Sequence, residues 1–190
     1  MKTQGLNFKR WKGLLLGGCL CLLAAGRAGA QTTSAQLSVN LTVQSSISLV
    51  FQNNPAVGTT GFCPLTNPNT NAVGLDLGSA SFPGGATLAC VNYTHLTASF
   101  YQVSSAFDVV VSKANTGSPN YRLAAQISAA PPVNVLWLVN NIQLTNTAFT
   151  TLDAADSYSA AVTKTLQVQV RNNVAPGLLQ ETITFLATAN

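Results

Sequence analysis

The stretch AQLSVNLTVQSSISLVF, residues 35–51, decides how the rest of the chain is read. Ala35, Leu37, Val39, Leu41, Val43, Ile47, Leu49 and Phe51 are apolar on one parity, broken only by Ser45. Gln36, Ser38, Asn40, Thr42, Gln44, Ser46 and Ser48 are polar on the other, broken only by Val50. Side chains on a β-strand alternate faces with a period of two, so the segment is a ribbon with one apolar and one wet face. It is also long: strands usually run about 3 to 10 residues, whereas this one would extend roughly 56 Å at about 3.3 Å per residue. Two organisations satisfy the pattern. The ribbon bends near Ser45-Ser46 and continues as the first strand of one sandwich, or its first half is an arm that leaves its own domain.

Upstream of the ribbon, Lys2, Lys9, Arg10 and Lys12 precede an apolar run from Leu14 to Ala25 and then Ala28-Gly29-Ala30. A basic start, an apolar run too short to span a bilayer and an Ala-x-Ala site describe a secretory signal peptide over residues 1–30, cleaved before Gln31. A lipoprotein signal at Leu16-Gly17-Gly18-Cys19 would interrupt the apolar run after its first few residues. The expected mature protein is exported, passing through the periplasm to the cell surface or beyond. It carries no integral membrane segment.

The precursor has a formal net charge of +4, but five of its nine basic residues leave with the signal. Lys113, Arg122, Lys164 and Arg171 then face Asp76, Asp108, Asp153, Asp156 and Glu181, four cations against five carboxylates, a net charge of −1. Nucleic-acid binding requires a concentrated cationic face and is not expected. Cys63 and Cys90 are the two cysteines left after cleavage. In an oxidising compartment they form one disulfide; the alternative of a metal or redox pair lacks CxxC spacing and accompanying histidines.

Low charge with abundant Asn, Thr, Ser, Val and Leu points to an all-β domain over residues 31–190. Strands are expected at 73–77, 86–91, 97–103, 107–112, 121–127, 133–139, 142–145, 165–171 and 179–189. Asn53-Asn54-Pro55, Pro83-Gly84-Gly85, Asn115 to Pro119, Asn140-Asn141 and Asn172 to Gly177 separate them. Many short strands favour a two-sheet antiparallel sandwich over a parallel α/β fold. At the C-terminus Ile183, Phe185, Ala187 and Ala189 alternate with Thr182, Thr184, Leu186 and Thr188. A strand patterned this close to a terminus implies a paired edge, because free ends usually fray.

Catalytic chemistry is sparse. His95 is the sole histidine of the chain and sits in a β-like region without triad spacing. Asp153 and Asp156 flank Ala154-Ala155, which supply no side-chain ligand, so a solvated loop is expected there rather than a calcium site. No enzyme, metal or cofactor is expected. Trp137 with Tyr93, Tyr101, Tyr121 and Tyr158 reads first as core and cross-strand aromatics, and second as a sugar-binding face.

With a signal, an alternating N-terminal segment, one disulfide and an alternating C-terminal strand, the chain resembles subunits of chaperone-usher pili. Gly177 stands fourteenth from the C-terminus, as in that family, while Ala189 replaces its usual penultimate aromatic residue. The resemblance implies an incomplete immunoglobulin-like sandwich polymerised by strand addition, with residues 31–45 as a donor arm. Leu37, Val39, Leu41 and Val43 would insert into a neighbour. Gly177, Ile183, Phe185, Ala187 and Ala189 would form the C-terminal assembly strand. Its implied partners are further copies of the chain, a periplasmic chaperone and an outer-membrane usher. The rival function is a self-contained secreted binding module for carbohydrate or another surface ligand. Mass spectrometry of the exported protein should find Gln31 at its N-terminus; a lipidated Cys19 would contradict the signal reading.

Overall fold

Alternating residues carry the chain through thirteen strands, and no helix occurs among the described residues. The structure is a computed structural model that describes residues 38, 40–42 and 44–190, of which 41–190 form one unit. The strands are β1 (Ser46–Gln52), β2 (Leu65–Thr66), β3 (Gly74–Leu75), β4 (Ala80–Ser81), β5 (Gly85–Ala86), β6 (Asn92–His95) and β7 (Phe100–Ala114). They continue with β8 (Asn120–Ile127), β9 (Val135–Val139), β10 (Ile142–Gln143), β11 (Thr150–Ser157), β12 (Ala161–Arg171) and β13 (Ile183–Ala189). The expected signal segment over residues 1–30, Leu37, Val39 and Val43 lie outside the described residues.

The first sheet has the order β1-β7-β12-β9-β10, with β6 also on β7; the second has the order β11-β8-β13. Every pairing is antiparallel. Phe107, Val109 and Val111 of β7, Leu166, Val168 and Val170 of β12, and Val135, Trp137 and Val139 of β9 meet Tyr121, Leu123, Ala125 and Ile127 of β8 in one buried cluster. The protein is therefore an all-β antiparallel sandwich, with a core built from alternate residues of facing strands.

Strand β7 is the backbone of the first sheet. The sequence suggests separate strands at 97–103 and 107–112, but Phe100–Ala114 runs without a break. Ser104-Ser105-Ala106 is not a turn because each residue is used in place. Ser105 Oγ accepts the Cys63 N–H at 2.8 Å and the Ala106 N–H donates to the Gly61 carbonyl at 2.7 Å. One edge of β7 is thus shared, with β6 on residues 101–104, the Gly61–Cys63 segment at its centre and β1 on residues 108–114. Gly61 adopts φ +87°, a left-handed conformation that favours glycine. Its N–H donates to the Cys90 carbonyl at 2.6 Å.

The Cys63–Cys90 disulfide is present and fastens this segment to the start of β6. Cys63, Val91 and Val103 form a second, smaller core around it. Other expectations are corrected. Of the strand expected at 86–91 only Ala86 is in a ladder, because residues 87–91 turn to bring Cys90 to its partner. Asp153 and Asp156 do not lie in a solvated loop but on β11, which pairs with β8 and carries its carboxylates toward Lys164. The opening ribbon becomes regular strand at Ser46, paired with Ala114, so its break falls at Ser45-Ser46.

Crosslinking residues 27 positions apart restricts the unfolded chain, which on the chain-entropy estimate stabilises the fold by about 3 to 4 kcal/mol. The Cys63→Ser, Cys90→Ser double variant should lose about that amount in urea denaturation, while retaining a β-rich circular dichroism spectrum.

Candidate functional site

On one side of the sandwich the two sheets do not close. A groove of about 1230 Å³ runs between β1 with the following 70–78 segment and the 178–185 segment leading into β13. Phe107, Trp137 and Leu166 form part of its lining. Ile47 and Leu49 on one rim, and Ile183 and Phe185 on the other, reach the core but stay only half-buried. Phe51, Phe107 and Phe185 pack together here, with ring centroids 5.2 to 5.9 Å apart, so both rims share one aromatic contact.

The backbone geometry of the rims follows from their ladders. Phe51 turns away from β7: its N–H donates to the Thr70 carbonyl at 2.8 Å and its carbonyl accepts the Asn69 N–H at 2.6 Å. In an antiparallel pair this orientation recurs at every second residue, so Ile47 and Leu49 direct their N–H and C=O groups out of the sheet. No described residue bonds them. On β13 the Ser128 N–H donates to the Thr182 carbonyl at 2.9 Å and the Asn190 N–H to the Asn120 carbonyl at 3.0 Å. Even-numbered residues therefore bond β8. Ile183, Phe185 and Ala187 turn their backbone groups to the open side while their side chains point to the core.

Glu181 anchors the approach to β13. Its Oε1 accepts the Ser128 hydroxyl at 2.5 Å, the Ser128 and Thr182 N–H groups at 2.9 Å and the Ala129 N–H at 3.2 Å. Burial works to raise the Glu181 pKa, but the hydrogen bonds from Ser128, Thr182 and Ala129 together outweigh it and lower the value.

Of the residues named for an inserting arm, Leu41 is described, and it is 84% exposed. Gly177 precedes the rim and makes no steric demand: a Cβ there would meet nothing within 4 Å, and its φ is not in the left-handed region. Ile183, Phe185 and Ala187 face the core, whereas Ala189 is exposed. His95 is an exposed strand residue whose Nε2 lies 3.1 Å from the Tyr93 hydroxyl. Among the described residues no three His, Cys, Asp or Glu side chains converge as metal ligands would.

The aromatic residues divide into two groups. Trp137 and Tyr121 belong to the core, with Tyr158 packed against it. Tyr93 stacks on Tyr101 at 5.6 Å, and Phe82 stacks on Tyr101 at 6.1 Å and lies 5.0 Å from His95. The role of Phe82 was not visible in the sequence, because only folding brings its turn over β6 and β7. The two-rim groove was equally hidden: alternation marks each strand but not which edges remain unpaired.

The fold and groove define a β-sandwich with two strand edges open to one side. No protein family, curated protein or solved structure matches the chain.

A carboxylate whose folded pKa is lowered contributes stability above its unfolded pKa and loses it as pH falls through the folded value. Glu181→Gln should therefore destabilise the domain by roughly 1 kcal/mol at neutral pH. Urea midpoints should show that difference shrinking below the ordinary glutamate range and vanishing once wild-type Glu181 is protonated.

Proposed function

We propose that the protein is an exported structural subunit of a bacterial surface pilus or fimbria-like assembly, polymerising by β-strand addition. The observation that supports this reading is the paired character of the groove rims. Ile47 and Leu49 on β1, and Ile183 and Phe185 on β13, each present an apolar side chain to the groove interior and unbonded backbone groups along an edge. An extended segment laid there would gain ladder hydrogen bonds and bury alternate apolar side chains. Residues 35–43 have the matching pattern, with Leu37, Val39, Leu41 and Val43 on one parity. In this reading the arm of one copy enters the groove of the next, and one-residue slips are disfavoured because they would turn the apolar set to solvent. A periplasmic chaperone would cover the same rims before assembly, and an outer-membrane usher would receive the subunit. The incomplete sandwich would then be immunoglobulin-like in plan.

A second reading, a secreted module for carbohydrate, is favoured by the Phe82, Tyr93, Tyr101 and His95 cluster. Flat aromatic faces with a polar edge suit a sugar ring.

The readings separate experimentally. Leu41→Asp leaves an exposed residue exposed in its own subunit, but would place an unpaired carboxylate in an apolar groove at a cost of at least several kcal/mol. Exported wild type should form SDS-resistant ladders of subunits. Leu41→Asp should yield folded monomer with unchanged thermal stability. Ladders that persist in the variant would exclude insertion by this arm. A wild-type protein that stays monomeric, and whose sugar binding is lost on Tyr93→Ala, would establish the second reading instead.

A further inference from the structure

Strand β12 presents Val162, Lys164, Leu166, Val168 and Val170 on one parity, and Lys164 is the charged member of that row. It is 1% exposed. A buried ammonium is costly unless it is paired and hydrogen-bonded. Its neighbours come from the opposite sheet. Nζ lies 2.5 Å from Asp153 Oδ2 and 3.8 Å from Asp156 Oδ2, both on β11.

Two features distinguish this cluster from an ordinary ion pair. The first is the irregularity of β11. Residues three apart on a regular strand point to opposite faces, yet register shifts on both sides of Asp153 let Asp153 and Asp156 reach the same amine. Bulges of this kind re-aim side chains. The second is hydrogen-bond geometry. Despite the close contact, Asp153 Oδ2 and Asp156 Oδ2 are buried without a hydrogen-bond partner, and so are the hydroxyls of Tyr121 and Tyr158. The amine is pressed against the Asp153 carboxyl group without the alignment that stabilises a charge-assisted pair.

We propose that Lys164 and Asp153 condense to an intramolecular isopeptide bond that joins the two sheets, with Asp156 as the proton carrier. The ammonium–carboxylate pair becomes amine and carboxylic acid by transfer of one proton. Nζ attacks Asp153 Cγ and the Nζ–Cγ bond forms. Asp156 takes a proton from nitrogen and delivers one to the departing carboxyl oxygen. The Cγ–O bond breaks, one water leaves, and Asp156 ends in the protonation state in which it began. No oxidant, nucleotide or metal is consumed.

Three surroundings suit the step. Burial, and then the neighbouring Asp153 charge, raise the Asp156 pKa against the opposing effect of Lys164, which favours a carboxyl able to carry a proton. Burial first, and then Asp156, Asp153 and Tyr158, push Tyr121 up to about 12, so its hydroxyl stays a donor beside the cluster. Condensation also neutralises an ammonium whose side chain is 2% exposed together with a carboxylate whose side chain is 23% exposed, and leaves an amide for the unbonded hydroxyls to serve.

The chain supplies its own assay. Between Arg122 and Arg171 the only tryptic site is Lys164, so a linear chain yields peptides 123–164 and 165–171. The exported wild-type protein, denatured, reduced and digested, should instead give one peptide 123–171 lighter by one water, without backbone fragments between 153 and 164. Asp156→Asn, which preserves shape, should fold with an unchanged circular dichroism spectrum and be cleaved at Lys164 into two peptides of full mass. Cleavage of wild type at Lys164, or an uncleaved peptide of full mass, would overturn the proposal. Fragments between 153 and 156 in a dehydrated peptide would move the bond to Asp156 and overturn the assigned roles, as would a retained crosslink in Asp156→Asn.

Discussion

The antiparallel ladder between β7 and β12, continuous from Phe100 with Arg171 to Val110 with Ala161, is the interaction on which the other elements depend. Two long strands paired over this distance give the first sheet one continuous seam, and their inward residues supply Phe107, Val109, Leu166, Val168 and Val170 to the core. With one edge of β7 taken by β12, everything N-terminal to β7 must compete for the other. Strands β6 and β1 divide it, and the disulfide-bearing segment fills the gap with a hydrogen bond from Ala106 and one to Ser105. Buried backbone groups require partners, so a segment without regular structure is recruited to complete a strand edge.

The same requirement makes the outer edge of β1 unusual. Strands β1 and β13 end their respective sheets, and their outer groups face one groove. Free edges are templates for pairing, and soluble proteins commonly blunt them with charge, proline or bulges. Here the rim strands are Ser46–Gln52 and Ile183–Ala189, and neither contains a charged residue or a proline. Of the two carboxylates that line the groove, Asp76 accepts the Gly78 N–H at 2.7 Å within its own turn, and Glu181 is consumed by Ser128, Ala129 and Thr182 and so serves to hold β13 onto β8 rather than to guard its edge. An edge kept regular and apolar is consistent with an element that is meant to be paired.

Charge is scarce in this chain, which makes its placement informative. Asp108 is buried, but it is served by the Asn54 amide at 2.9 Å and the Thr163 hydroxyl at 2.7 Å, so it acts as a polar staple between β1's following turn and β12. Gln167 is likewise satisfied by Asn141 through two bonds of 2.7 Å. The cluster of Lys164, Asp153 and Asp156 departs from that rule of satisfaction, and among the described residues it is the one place where charged groups from both sheets form ion pairs.

The period-two pattern made the all-β class legible, along with the parity of β1 and β13, because alternation is a local property of neighbouring residues. The Cys63–Cys90 pairing was legible as well, since two thiols remain after the expected cleavage. Less was readable where a segment's conformation depends on distant partners. Ser104-Ser105-Ala106 looked like an interruption and became the middle of the longest strand, because Gly61 and Cys63 supply its bonds from more than forty residues away. Asp153 and Asp156 looked like a solvated loop because Lys164 sits on a different sheet, and bulges cannot be inferred from spacing alone. By itself the sequence determined which residues can face a core; the tertiary structure decided which edges meet, which stay open and which charges share one cluster, because those outcomes depend on pairing between strands far apart in the chain.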